Sequence, residues 1–163
     1  MFVLNAGSSS VKYQLRDVAT GEVTVHGVVE RIGLEGGDAP DHATAVDRIL
    51  DDLGDRPVDA VGHRVVHGGE RFHRATVIDD DVVGAIERLQ PLAPLHNPPA
   101  VAGIRAARRA LPAVPQAAVF DTAFHATLPR AASTYAIDAD LAERWAVRRY
   151  GFHGTSYRFV SRR

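Results

Sequence analysis

"FVLNAGSSSVKYQLRDVATGEVTVHGVV", residues 2–29, predicts three consecutive β-strands at the start of the chain. Apolar and β-branched residues place these strands at 2–4, 11–15 and 22–29, and Thr20-Gly21 supplies the second turn. Connections this short join antiparallel neighbours, so the segment is predicted to form a meander. The sheet is therefore not a doubly wound sheet of parallel strands throughout.

Helices and strands alternate after the meander. Apolar residues at helical spacing predict a helix over 43–53, with Asp41 as its N-cap and Gly54 as its stop. A strand is predicted over 59–66, and a second helix follows Asp79. Asn97 is the predicted cap of a third helix, which runs to about residue 110.

A buried strand at 117–120 ends in Asp121, and a further strand is predicted over 131–137. A short helix at 138–145 follows, and Thr155 or Ser156 is the predicted cap of a last helix. The order β-β-β-α-β-α-α-β predicts an α/β fold, in which a mixed sheet carries helices on its faces.

Composition narrows the class of partner. The chain has 163 residues, 45% hydrophobic residues and a formal net charge of -1, so it can bury a core and shows no basic stripe. This balance argues against nucleic acid or a membrane as partner and favours a small molecule. The absence of cysteine excludes disulfides and thiolate metal sites. The first apolar run ends at Asn5, too early for a signal peptide, so we expect a cytoplasmic protein.

The bend between the first two strands has the residue types of a phosphate site. Lys12 is the only lysine among nineteen basic side chains, and it follows Gly7 and three serines, of which Ser8 and Ser10 flank the middle one. Backbone N–H groups, hydroxyls and an ammonium suit phosphate oxygens. The order differs from that of a P-loop, so a nucleotide would be held differently. An ordinary polar hairpin is the alternative interpretation.

"GHRVVHGGE", residues 62–70, places Arg64 near a strand end before a diglycine, where a guanidinium could bind a carboxylate. His63 and His67 share a strand face, and with Asp121 they would form a zinc hydrolase site. Structural hydrogen bonding is the simpler role for both histidines.

Three further motifs also lie at the end of a strand or the start of a helix. They are "LAPLHNPPA" at 92–100 with His96, "VFDTAFH" at 119–125 with Asp121, and "YGFHGTSY" at 150–157 with Phe152 and His153. A strand-terminal acid, a loop imidazole and an apolar wall, together with the hairpin and Arg64, supply what phosphoryl transfer to a carboxylate requires.

These five motifs, in this order, resemble those of the acetate kinases, with propionate and butyrate kinases as near relatives. The resemblance covers essentially the whole chain. It implies the actin-like ATPase fold of sugar kinases, Hsp70 and actin, in which each lobe has the order β-β-β-α-β-α-β-α. It also implies reversible transfer of the γ-phosphoryl group of ATP to acetate, which gives acetyl phosphate and ADP with Mg²⁺ or Mn²⁺ as cofactor.

The resemblance assigns roles residue by residue. Metal binding falls to Asn5. The nucleotide phosphates would be bound by Ser8, Ser10 and Lys12. The substrate would be bound by Arg64 at its carboxylate and by Val66, Leu95 and Phe152 at its methyl group. Catalysis falls to Asp121 and His153, whereas the role of His96 is open.

Members of the family are more than twice this length, so a domain division is implied. Residues 1–124 would form the N-terminal lobe, and 125–163 would begin a second lobe that supplies the adenosine pocket. We expect a homodimer at full length and an inactive 163-residue chain. The alternative is a non-catalytic half-lobe that binds a carboxylate or serves in assembly. Two departures stand out: the stretch between Lys12 and Arg64 is shorter than usual, and Tyr157 replaces a common histidine.

Overall fold

A computed structural model describes residues 1–163 and contains one mixed sheet of six strands. The strands are β1 (Phe2–Ala6), β2 (Val11–Arg16), β3 (Val23–Val29), β4 (Val61–Val65), β5 (Thr76–Val77) and β6 (Gln116–Phe120). Their spatial order is β3-β2-β1-β4-β6-β5. The first three strands pair antiparallel, as predicted, and β1, β4 and β6 are parallel at the centre of the sheet.

Six α-helices accompany the sheet, and none of them is long and apolar enough to cross a lipid bilayer. They are α1 (His42–Leu53), α2 (Asp80–Arg88), α3 (Asn97–Ala110), α4 (Arg130–Ser133), α5 (Ala139–Arg144) and α6 (Gly154–Val160). Two 3₁₀ helices cover Gln90–Leu92 and Asp121–His125.

The predicted ends of α1 and α2 are confirmed. The Asp41 carboxylate accepts a hydrogen bond from the Thr44 N–H at 2.7 Å, and the Asp79 carboxylate accepts one from the Val82 N–H at 2.8 Å. Gly54 ends α1 with φ of 55°, a conformation that favours glycine. These boundaries depend on local hydrogen bonds, which explains why residue type alone located them.

Three predictions about elements are wrong. The segment 131–137 contains no strand; a short helix begins after Pro129, whose φ of -62° suits a helix entrance. Asn97 lies inside α3 and His96 is the N-cap, because the Asn97 side chain hydrogen-bonds to the backbone of another segment. Neither Thr155 nor Ser156 caps α6, which begins at Gly154, directly after His153.

The two-residue strand β5 was not predicted, because it is too short to show a residue pattern.

The helices α1, α2 and α3 pack against one face of the sheet. Alternate strand residues such as Phe2, Leu4 and Val61 meet α1 and the C-terminal part of α3 in one cluster. Val65 and Phe120 meet α2 and the rest of α3 in a second cluster. Side chains on the other face are more exposed, among them Lys12 and Arg64, so polar groups are available there.

Candidate active site

The three parallel strands bring three of the predicted site residues together. Asn5 is near the end of β1, Arg64 is near the end of β4, and Asp121 directly follows β6. Neighbouring parallel strands end at the same edge of a sheet, and such edges are where α/β proteins bind ligands. The sheet order therefore places an amide, a guanidinium and a carboxylate side by side.

Arg64 is hydrogen-bonded to both of the other groups. Its Nε and Nη2 donate to Oδ1 and Oδ2 of Asp121 at 3.2 and 2.6 Å, and its Nη1 donates to Oδ1 of Asn5 at 3.1 Å. Asp121 is fully buried, whereas 29% of the Arg64 side chain is exposed. A buried carboxylate needs such a partner. A guanidinium has five N–H donors, so two of those on Arg64 remain available.

Thr155 completes the hydrogen bonding of Asp121, a role that sequence reasoning missed. The Thr155 hydroxyl donates to Oδ1 of Asp121 at 2.8 Å. The preceding Gly154 makes this approach possible, because a Cβ there would lie 2.6 Å from Cβ of Phe124 and would collide with the Asp121 carbonyl oxygen. The sequence "GTS" suggested only a helix cap, so its long-range partner could not be identified.

Hydrogen bonds to the backbone of Gly7 stabilise the hairpin between β1 and β2. The Gly7 N–H donates to the Ser10 carbonyl at 2.7 Å and closes the bend. The His42 ring donates through Nε2 to the Gly7 carbonyl at 2.7 Å, since a carbonyl oxygen only accepts. These bonds occupy backbone groups and leave the side chains of Ser8 and Lys12 exposed. His42 was also missed, because nothing in its sequence context points to the hairpin.

Lys12 lies opposite Asn5 in the register of β1 and β2. Directly paired residues on antiparallel strands project from the same face of the sheet. The ammonium of Lys12 is therefore on the same face as the Asn5–Arg64 hydrogen bond. Lys12, which is predicted to bind phosphate, and Arg64, which is predicted to bind a carboxylate, thus lie at one edge and on one face of the sheet.

The predicted apolar residues are less closely grouped. Val66 is buried directly after β4, whereas Phe152 is 50% exposed and Leu95 is 67% exposed. His67 connects two of these segments, with its ring 6.2 Å from the Phe152 ring. The Gly69 N–H donates to Nδ1 of His67 at 3.0 Å, so the ring proton lies on Nε2, and burial lowers the pKa of His67.

Two further motif histidines, His153 and His96, are exposed. His153 adopts the left-handed conformation with φ of 54° at the start of α6, and its side chain makes no capping hydrogen bond. A non-glycine residue in this region is uncommon and is often found at functional sites. His96 precedes α3 and also makes no side-chain cap.

The zinc site suggested by His63, His67 and Asp121 is wrong. His63 points to the helix-covered face, where its Nε2 hydrogen-bonds to Oε1 of Gln116 at 2.8 Å. Burial lowers the pKa of His63 to about 4, partly opposed by this hydrogen bond. No group of three or more His, Cys, Asp or Glu side chains is placed to hold a metal ion.

The sequence is similar to those of known acetate kinases. A sequence model of the acetokinase family matches residues 1–163. The acetate kinase of Micrococcus luteus is 52% identical over 99% of this chain and 44% of its own length. That of Thermotoga maritima is 48% identical over the whole of this chain and 46% of its own length.

Solved structures give the same result. The acetate kinase of Porphyromonas gingivalis superposes with a TM-score of 0.89 at 43% identity, over 98% of this chain and 46% of the other. A propionate kinase of Francisella tularensis superposes with a TM-score of 0.91 at 37% identity, over 99% of this chain and 47% of the other. These relatives have the actin-like ATPase fold, which confirms the predicted fold class. The chain spans less than half the length of the relatives that it matches, and it belongs to the acetokinase family.

Proposed function

We propose that this chain provides the phosphate-binding hairpin and the carboxylate-binding arginine of an acetate kinase. The reaction is the reversible transfer of the γ-phosphoryl group of ATP to acetate, by direct in-line displacement, to give acetyl phosphate and ADP. The observation that carries the proposal is the hydrogen-bonded group of Arg64, Asp121 and Asn5, on the same face of the sheet as Lys12.

Arg64 is proposed to bind the acetate carboxylate. Asp121 and Asn5 fix the plane of the guanidinium and leave two N–H donors, enough to hold a second carboxylate. A catalytic role for Asp121 then includes orienting Arg64, because both of its oxygens are bonded to that side chain. Val66, Leu95 and Phe152 are proposed to surround the methyl group; Val66 is buried, whereas Leu95 and Phe152 are exposed.

The hairpin is proposed to hold the nucleotide phosphates through Ser8, Ser10 and Lys12. Acetate and the γ-phosphate are both anionic, so their repulsion must be offset by fixed cations and hydrogen-bond donors. Lys12 offers one cation and Arg64 another on the same face. His153, exposed at the start of α6, is proposed to stabilise the phosphoryl group in transfer. A carboxylate nucleophile carries no proton, so no general base is required.

The residues at this edge fit Mg²⁺ or Mn²⁺ bound mainly by phosphate and water. The Asn5 amide oxygen accepts one hydrogen bond from Arg64 and retains a second lone pair, and Mg²⁺ prefers such oxygen ligands. Asp121 shares its oxygens with Arg64 and Thr155, so it would contact the ion only through water. When bound, the ion would neutralise phosphate charge.

The proposal includes the division into a lobe at 1–124 and the beginning of a second lobe at 125–163. Both apolar clusters lie within residues 2–120, and only Ser133 and Gly154 are buried in the second segment. In this division the adenosine pocket lies outside the chain. The 163 residues alone are then expected to be inactive, and the full-length enzyme is proposed to be a cytoplasmic homodimer.

The test joins residues 1–163 to the remaining part of the Micrococcus luteus acetate kinase, whose matching part is 52% identical. Acetyl phosphate is trapped as its hydroxamate. We expect activity with acetate to exceed that with propionate, and the Arg64→Gln variant to lose on the order of 10²–10³ in rate. Arg16→Gln, an exposed arginine outside the site, serves as the matched control.

A folded chimera that binds ATP without phosphorylating acetate would refute the proposal, as would full activity of Arg64→Gln. Should the chimera fail to fold, the 163-residue chain offers a second measurement. Acetate is expected to shift the amide NMR signals of residues 64–66 in the unaltered chain but not in Arg64→Gln. Identical shifts in both chains would refute the proposal that Arg64 binds the acetate carboxylate.

A further inference from the structure

A cavity of about 360 Å³ lies beside the candidate active site, between the loop at 73–75, the end of β6 and α6. It exists because β5 pairs with β6 only at Ala117 and Ala118, so the edge of β6 beyond these residues is free. The cavity shares Thr155 with the hydrogen-bond network of Asp121. Arg64, Lys12 and Asn5 do not line it, so it is a separate site.

The charge of this cavity is one-sided. Arg74, Arg158 and Arg162 line it together with His73, and its lining contains no aspartate or glutamate. The six ion pairs of the chain all involve other arginines. Arg158 lies in α6 and Arg162 lies two residues beyond its end, so this short segment brings two guanidinium groups to the cavity. A bound anion would offset the repulsion between these like charges.

Apolar side chains also line the cavity. Val119 and Phe124 line it and are 36% and 40% exposed. The Phe124 ring stacks on that of Tyr157, with centroids 6.1 Å apart and an interplanar angle of 16°. Small-molecule sites of roughly 300–1,000 Å³ typically combine such an apolar wall with a few charged groups.

We propose that this cavity binds a small organic phosphomonoester, with the phosphate at the three arginines and the carbon skeleton against Val119 and Phe124. Guanidinium groups bind phosphate through paired, charge-assisted hydrogen bonds, and a dianion matches several unpaired cations better than a monoanion does. The inference goes beyond the proposed kinase reaction. Its test measures binding directly, so its failure and that of the kinase proposal are distinguishable.

The test is calorimetric titration of the 163-residue chain with phenyl phosphate, in a Lys12→Gln background that removes the cation of the hairpin. We expect one phenyl phosphate per chain. Arg158→Gln with Arg162→Gln is expected to weaken binding roughly tenfold or more, because charge-assisted hydrogen bonds are lost. The matched control, Arg16→Gln with Arg144→Gln, removes the same charge from two exposed arginines elsewhere and is expected to bind as before.

Inorganic phosphate and benzoate separate the two parts of the site. Inorganic phosphate is expected to bind more weakly than phenyl phosphate because it lacks the phenyl ring. Benzoate is expected to bind more weakly than phenyl phosphate because it carries a single negative charge. Equal affinity for either probe would overturn the proposal, as would absent binding or an equal loss in both double variants. If the pocket variant does not fold, amide NMR shifts caused by phenyl phosphate in the unaltered chain must fall at 154–162; shifts confined to other residues would refute the site.

Discussion

Acidification from pH 7 to pH 5 is expected to destabilise this fold through His63. The imidazole is 3% exposed and has no charged partner, because its one hydrogen bond is to the neutral amide of Gln116, at 2.8 Å. Burial lowers the pKa of His63 from 6.5 to about 4, and the Gln116 hydrogen bond raises it only in part. The folded state therefore favours the neutral ring.

The sign follows from proton binding. Between pH 6.5 and pH 4 the unfolded chain binds more protons at this residue than the folded chain does. The contribution of His63 to the free energy of unfolding is complete above pH 6.5 and is lost as the pH falls toward the pKa of about 4 in the folded state. The difference between the two pKa values corresponds to about 3 kcal/mol, of which about 2 kcal/mol is lost by pH 5.

Urea denaturation at pH 7 and pH 5 measures this loss as a change in the free energy of unfolding. In His63→Gln the ring is absent, so the change between the two pH values is expected to shrink by about 2 kcal/mol. A smaller change remains from His67, whose pKa is also lowered by burial. The control His26→Gln removes an exposed histidine and is expected to keep the dependence of the parent chain.

Direct NMR titration of the His63 ring in the unaltered chain provides a check that does not depend on the variant's folding. The expected midpoint is about pH 4. A midpoint near 6.5, or a pH dependence that His63→Gln leaves unchanged, would refute the reasoning from burial.

Three other substitutions test the remaining structure. Gly154→Ala is expected to cost about 2 kcal/mol, because the new methyl group meets the Asp121 carbonyl and Phe124; an unchanged melting temperature would contradict this packing. Asn97→Ala should cost about 3 kcal/mol in urea denaturation by leaving the buried N–H and C=O of His67 unpaired, and Asn97→Asp should restore only the bond to that N–H. Asp79→Ala is expected to cost about 1 kcal/mol through loss of the α2 cap, and equal stability would show that the cap contributes nothing.

Residue patterns predicted the features that depend on near neighbours. The antiparallel meander, the caps of α1 and α2 and the short helix at 139–144 all follow from alternation or from a side chain that bonds three residues on. The two failed cap predictions have one cause in common. Asn97 and Thr155 have the residue types of caps, yet their side chains bond to His67 and Asp121 in distant segments. A local pattern cannot reveal such a competing partner.

The residue pattern alone identifies the groups of the site: a lone lysine beside serines, an arginine before a diglycine and an acid at the end of a strand. The folded chain adds that Arg64 and Asp121, 57 positions apart, share two hydrogen bonds, and that Thr155 supports them. Residue patterns specify hydrogen bonds within an element, whereas contacts between elements depend on sheet order. That order placed β1, β4 and β6 side by side, and the alternation of side chains along β4 put His63 in the core and Arg64 at the site.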